Sequence, residues 1–108
     1  MLDKSNNNPG YVLGWFFAKL DAIQKEAAGE GFAQSDLTAA SSSPGTTFPR
    51  LIESVKETVT SAGNPALQTE LARLTADILG RLPQRAIPDY ITLQDQFRFM
   101  VGMSHGKA

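Results

Sequence analysis

Apolar residues recur at steps of three and four along this 108-residue chain, and no stretch alternates at every second position over a strand length. Such spacing gathers apolar side chains on one face of an α-helix and leaves polar side chains on the other. Four segments show the pattern, each bounded by glycine, proline or a polar capping residue. The pattern therefore predicts an all-α fold, a small antiparallel helical bundle of four main helices.

The first helical segment begins near Tyr11 and is ended by Gly29. Its apolar face is unusually broad because Trp15–Phe17 are consecutive aromatic residues, and adjacent helix positions lie about 100° apart. Two interpretations stay open: a central helix surrounded on most sides, or a helix with one aromatic residue that contacts another subunit. Gly10 and Gly14, four positions apart, predict a close helix crossing within the fold.

The next three helices are each marked by a start signal. Thr47–Pro49 opens the second helix with proline in its first turn, and Gly63 stops it. Asn64 followed by Pro65 starts the third helix, and Thr92 caps the fourth. The predicted inner face of the fourth helix consists of Leu93, Phe97, Met100 and Val101.

Between the first two main helices the sequence is less regular. Asp36–Ala40 is a candidate for a further short helix, with Ser35 as its N-cap. Ser41–Gly45 follows as a run of turn-forming residues, which we expect to be the most mobile interior segment. Residues 1–10 read as a flexible leader, residues 11–104 as a single helical-bundle domain, and residues 105–108 as a flexible tail.

Composition excludes several classes of protein. The chain has no cysteine, which rules out disulfides, a thiolate nucleophile and cysteine-rich zinc sites and favours a cytoplasmic location. Ten basic and eleven acidic residues give a net charge of −1, so nucleic acid cannot be held by bulk positive charge. The longest uncharged apolar stretch, 11–18, is far shorter than the roughly 20 residues that span a bilayer, so we expect no membrane association.

Catalytic residues are scarce. The one histidine, His105, lies three positions before the last residue of the printed sequence, and its acidic candidates for a catalytic pair are Asp95 and Asp89. Both aspartates also suit helix starts, where the helix dipole favours acids. We therefore expect a protein that is not an enzyme, with no metal, no cofactor and no small-molecule substrate.

Three ordered segments resemble a known family, the C-terminal helical region of the large subunit of the type I-C CRISPR surveillance complex and the free small subunit that matches it. The segments together span residues 8–105. The residues that carry the resemblance are Asn8, Pro9, Tyr11, Leu13, Gly14, Phe17 and Leu20–Gln24, then Ala40, Ser41, Pro44 and Phe48–Leu51, and finally Leu93, Asp95, Gln96, Phe99, Gly102 and His105.

The resemblance implies a non-enzymatic subunit of an RNA-guided complex. In that family the small subunit can be translated from a start inside the large-subunit gene. Copies pack side by side along the guide-RNA filament, beside the large subunit, and help to hold the opened target DNA of the R-loop. The implied partners are therefore the filament subunits, the large subunit, a second copy of the chain, and the guide RNA with its target DNA.

This sequence departs from the family pattern in two places. Trp15 stands where the family tends to have arginine, and residues 32–38 contain no basic residue where a basic and aromatic stretch is expected. Both departures remove positive charge, which leaves the second half of the chain as the source of phosphate contacts. The predicted nucleic-acid-binding residues are Arg50, Arg73, Arg81, Arg85 and Arg98.

Two functions stay open from the sequence. The first is a non-catalytic CRISPR effector subunit that supports the R-loop through weak, non-specific DNA contacts. The alternative is a small helical adaptor, unrelated to CRISPR, that binds another protein through its aromatic helix.

Overall fold

The computed structural model describes residues 2–107, and this part of the chain is helical with no strand. The predicted all-α class is therefore confirmed. Helices α1 to α4 are joined by short connections, and the longer connection to α5, residues 82–92, contains a 3₁₀ turn over Pro83–Arg85. Their bounds are α1 Pro9–Ala28, α2 Gln34–Ser42, α3 Pro44–Ser61, α4 Pro65–Arg81 and α5 Leu93–Lys107.

Helix α1 lies at the centre of the molecule. The Phe16 ring stacks on Phe48 of α3, with 5.4 Å between centroids, while Phe17 reaches Phe99 of α5 on another side. Trp15 is half-buried, with the Lys19 ammonium 5.3 Å from its ring centroid. Of the two interpretations of the aromatic run, the surrounded central helix is the one this arrangement supports.

Glycines let α1 and α5 approach until their backbones touch. A Cβ on Gly10 would overlap the carbonyl of Asp95, and a Cβ on Gly14 would overlap the carbonyl of Phe99. The predicted close crossing at Gly10 and Gly14 is thus confirmed, and it occurs within one chain. Helix α5 contributes glycine to the contact in the same way, because a Cβ on Gly102 would overlap the Tyr11 carbonyl of α1.

The register of this contact shows that α1 and α5 run in the same direction. Contacts advance along both helices together, from Gly10 beside Asp95 to Gly14 beside Phe99. An antiparallel arrangement is therefore wrong for this pair. The first and last helices can run parallel because α2, α3 and α4 lie between them in the sequence and return the chain to the end at which α1 begins.

The predicted inner face of α5 is wrong. Phe99, Gly102, Met103 and Gly106 are buried, whereas the predicted inner residues face solvent. The most exposed of them is Leu93, at 83% of its full accessibility. The physical reason is that α1 selects the side of α5 on which backbones can meet, and that side is the one with glycines.

Helix boundaries differ from the sequence prediction at several ends. Asn8 caps α1 by accepting a hydrogen bond from the Tyr11 amide, so the helix begins at Pro9, inside the predicted leader. At the other end α5 continues through His105 to Lys107, beyond the predicted domain limit at 104. Met1 and Ala108, the outermost residues of the predicted leader and tail, lie outside the described residues.

The predicted turn run at 41–45 is instead almost entirely helical. Helix α2 continues to Ser42 and α3 starts at Pro44, so Ser43 alone separates them. Ala33, not Ser35, occupies the N-cap position of α2, and its amide donates to the Asp36 carboxylate. The predicted start of this helix at Thr47–Pro49 is therefore wrong: Pro44 occupies its first turn, and Pro49 lies inside it.

Two predicted caps are confirmed. The Asn64 side chain accepts from the Leu67 amide at the start of α4, at 3.2 Å. The Thr92 hydroxyl accepts from the Asp95 amide at the start of α5, at 3.0 Å.

Within the described chain, no helix has both the length and the apolar content needed to cross a membrane.

The starts of α1 and α5 are tied together by one carboxylate. Oδ1 of Asp95 accepts hydrogen bonds from the Asn8 amide group and from Arg98, each at 2.9 Å. These bonds, with the one from Asn8 as the main cause, hold the pKa of Asp95 below its ordinary value. Asn8 therefore acts twice, as the cap of α1 and as the link to α5.

The glycine contact predicts a specific instability. Gly102→Ala should lower the free energy of unfolding by about 1 to 3 kcal/mol, because the added methyl group must push the α1 backbone away. Chemical denaturation followed by circular dichroism measures this change. Gly80→Ala in α4 is the matched control: a Cβ there meets nothing within 4 Å, and we expect it to stabilise by about 0.5 to 1 kcal/mol. Equal stability of the Gly102→Ala variant and the wild type would contradict the glycine contact.

The Asp95 link predicts a pH dependence. Because the folded pKa of Asp95 lies below its unfolded value, its contribution is present above about pH 4 and is lost as pH falls through the folded pKa. Asp95→Asn should therefore be less stable than the wild type near neutral pH. The difference between their free energies of unfolding, the stability gap, should narrow on acidification. Denaturant titrations at a series of pH values measure the gap, and a constant gap would refute the link.

Candidate nucleic-acid interface

The five predicted arginines lie on three different helices and one turn. Arg50 is on α3, Arg73 and Arg81 are on α4, Arg85 is in the 3₁₀ turn and Arg98 is on α5. All are at least partly exposed. Their placement along the bundle decides which of them one strand of nucleic acid can meet.

Three helices begin at one end of the bundle. Gly10 at the start of α1 touches Asp95 near the start of α5, and Gly45 at the start of α3 lies against the backbone of Asp89. Pro9 shares a small cleft with the turn that follows α4. We call this end the arginine end, because four of the five arginines lie toward it: Arg50, Arg81, Arg85 and Arg98.

Arg73 stands apart from that group. It lies near the middle of α4, eight residues before Arg81, and eight residues span about 12 Å along a helix axis. It lies on neither the first nor the last turn of α4. Four of the five predicted residues thus lie toward one end of the bundle, and the fifth lies midway along α4.

Three of the four arginines at this end hold a carboxylate. Arg50 binds Asp36 at 3.1 Å, and Arg81 binds Asp77 at 3.3 Å. The third pair joins Arg98 to Asp95 at 2.9 Å. The local charge is consequently close to neutral, and no strong positive field develops at the arginine end.

Arg73 and Arg85 differ from the other three. Both are exposed, and within residues 2–107 neither has a carboxylate at ion-pair distance. Arg85 and its neighbour Gln84 both adopt left-handed backbone angles, with φ of 54° and 57°. Non-glycine residues in this region carry strain of order 1 kcal/mol or more, so the turn holds Arg85 in a conformation that an ordinary loop avoids.

The two departures from the family pattern are accounted for by packing. Trp15 carries Lys19 over its ring, and its backbone lies beside Gly106. Phe32 packs on Phe17, and its amide donates to Asp21 at 2.7 Å. Trp15 and Phe32 are thus engaged in contacts within the chain.

The pairing of His105 with Asp95 that was considered from the sequence does not form. His105 and Asp95 are ten residues apart on α5, about 15 Å along the axis. Nδ1 of His105 lies 2.6 Å from the hydroxyl of buried Tyr11, and that hydroxyl also accepts from the Asp3 amide. The Asp95 carboxylate is engaged by Asn8 and Arg98. No group of three or more metal-binding side chains occurs within residues 2–107.

Sequence reasoning missed two apolar surfaces. The first, which we call the outer α5 face, consists of Leu93, Phe97, Met100 and Val101. The second, the α3–α4 groove, is a depression of about 680 Å³ between those two helices. The periodicity had already identified the α5 residues as one face, but it assigned that face to the core.

Comparison with known proteins identifies the family. No relative among curated proteins matches the chain. The family model of the CRISPR-associated protein Cas_Csd1 matches residues 1–108, the whole of the sequence. The resemblance seen in the three ordered segments is thereby confirmed, and the chain belongs to the Cas_Csd1 family of CRISPR-associated proteins.

Proposed function

We propose that this chain is a non-catalytic small subunit of a type I-C CRISPR effector ribonucleoprotein. In this role it packs along the guide-RNA filament and supports the R-loop through non-specific contacts to target or displaced DNA. The observation that carries the proposal is the family match over the whole chain. The partners are the filament subunits, the large subunit and a second copy of the chain, in the cytoplasm where the effector meets its target.

The charge distribution suits weak contact with a phosphate backbone. Exposed ion pairs contribute only about 0 to 1 kcal/mol, so Arg50, which is 59% exposed in its pair with Asp36, can exchange a carboxylate for a phosphate at little cost. Arg73 and Arg85 need no such exchange. A net charge of −1 then keeps binding by the free chain weak.

The DNA role is tested first by leaving the chain out. Effector assembled without it should bind target DNA more weakly and with a shallower dependence on salt concentration, because each lost phosphate contact lowers the slope by about 0.7 to 0.9. Binding measured at several salt concentrations gives both quantities. An unchanged affinity together with an unchanged slope would refute DNA support.

Single substitutions then locate the contacts. Arg85→Gln and Arg73→Gln should each reduce the salt slope by about one when assembled into the effector. Lys25→Gln is the matched control, because it removes the same charge from the last turn of α1, at the opposite end of the bundle from the arginine end. A slope reduced equally by all three variants would contradict local contact at the arginines.

The alternative function is a helical adaptor unrelated to CRISPR, and the exposed outer α5 face favours keeping it as the second candidate. Co-purification from the native host separates the two. The effector subunit should bring down guide RNA together with filament subunits. A single protein partner with no RNA would favour the adaptor instead.

A further inference from the structure

The outer α5 face is an apolar ridge with nothing packed on it. Leu93 and Phe97 are 83% and 76% exposed, and Met100 and Val101 are nearly half exposed. Their spacing of i, i+4, i+7 and i+8 is the anchor pattern of a helix that lies in a hydrophobic groove. Large exposed patches of this kind mark protein interfaces.

The α3–α4 groove has the complementary shape. The α4 wall of the groove includes the small side chains of Ala72, Thr75 and Ala76, while Ile52 and Val59 belong to its α3 wall. Small residues leave a depression that large side chains of a partner can fill. Lys56 is the only charged residue among those that line the groove in the described chain, and its flexible stem can keep the ammonium group in water.

The two surfaces also match in length. The groove is lined along α4 from Gln68 to Leu79, which corresponds to about 16 Å of helix. The ridge runs from Leu93 to Val101, about 12 Å. No acidic or basic residue belongs to the ridge, so docking it leaves no charge of the ridge buried without a partner.

We propose that the outer α5 face of one copy docks into the α3–α4 groove of a second copy. The exposed ridge, with neighbouring Tyr90 at 76% exposure, offers on the order of 600 Å² per partner, which is the low end for a specific interface. A symmetric contact between two α5 ridges would set one convex surface on another and leave both grooves open. Docking of the ridge into the groove instead fills the depression and covers both apolar surfaces.

This contact is head-to-tail, since the two surfaces are different and belong to helices that pack on different sides of α1. A head-to-tail contact leaves one free ridge and one free groove at the ends of every row. The inference deepens the proposed function and rests on it for the second copy as a neighbour. In a small effector subunit, the row length would be set by the filament on which the copies lie.

The absence of cysteine allows a direct test by disulfide cross-linking. Phe97→Cys and Ala72→Cys are prepared as full-length chains carrying different tags, then mixed and oxidised, both free and after assembly into the effector. Both positions are exposed in the single chain, so neither substitution should disturb folding. Only the mixture of the two variants should give a cross-linked heterodimer in high yield.

The other outcomes of the experiment distinguish the head-to-tail contact from a symmetric contact between two ridges. Cross-linking of Phe97→Cys with itself at equal yield would overturn the head-to-tail contact in favour of a symmetric one. No cross-link in the free chain or in the assembled effector would overturn the proposal altogether. Phe97→Ser, followed by analytical ultracentrifugation, should weaken self-association more than about tenfold. Glu70→Gln, at an exposed position of α4 outside the residues that line the groove, should leave self-association unchanged.

The test also separates this inference from the proposed function. If Phe97→Ser weakens self-association as expected and the variant still joins the effector, the docking inference stands and the subunit role survives. If the chain joins no effector and cross-links head-to-tail alone, the subunit role fails and the docking surface remains.

Discussion

Direct backbone contact between α1 and α5 is the constraint on which the rest of the molecule depends. Glycines on both helices remove the side chains that would otherwise hold the axes apart. The contact fixes the two helices parallel and orients α5 about its own axis. Because the glycine side must face α1, the opposite side of α5, with Leu93, Phe97, Met100 and Val101, must face outward. One local requirement for space thus determines both the packing and the surface that the chain presents to other molecules.

Much of the fold could be predicted from the sequence because its signals are local. The caps at Asn64 and Thr92 and the stop at Gly29 each depend on a few adjacent residues. The orientation of α5 could not be predicted in the same way, because periodicity ranks faces by the size of their apolar side chains. Gly102 and Gly106 repeat the spacing of Gly10 and Gly14, and that repeat was the available signal. This glycine repeat predicts the orientation of α5 correctly only if close approach of the two backbones is given more weight than the size of the apolar side chains.

The candidate site was predicted less completely than the fold. Counting basic residues found all five arginines, yet it could not show that Arg50, Arg81 and Arg98 are each held by an aspartate. Two of these ion pairs are each formed within a single helix, one in α4 at a spacing of four residues and one in α5 at a spacing of three, where opposite charges attract. The Arg50 pair joins α2 to α3 and depends on how those helices meet. The contact between Asn8 and Asp95, 87 residues apart in the sequence, likewise depends on the fold.

The balance between these surfaces bears on how such a subunit is recruited. Paired arginines and a near-neutral chain provide little long-range attraction for nucleic acid, and salt screens what they provide within about 10 Å. An exposed apolar ridge and a groove of matching length are not weakened by salt in this way. In the proposed role, contacts between copies would therefore help to place the chain in its row along the filament, and the arginines would act on DNA that the assembly has already placed beside them. Arg73 and Arg85 would then need little intrinsic affinity, since the assembly would supply a high local concentration of phosphate.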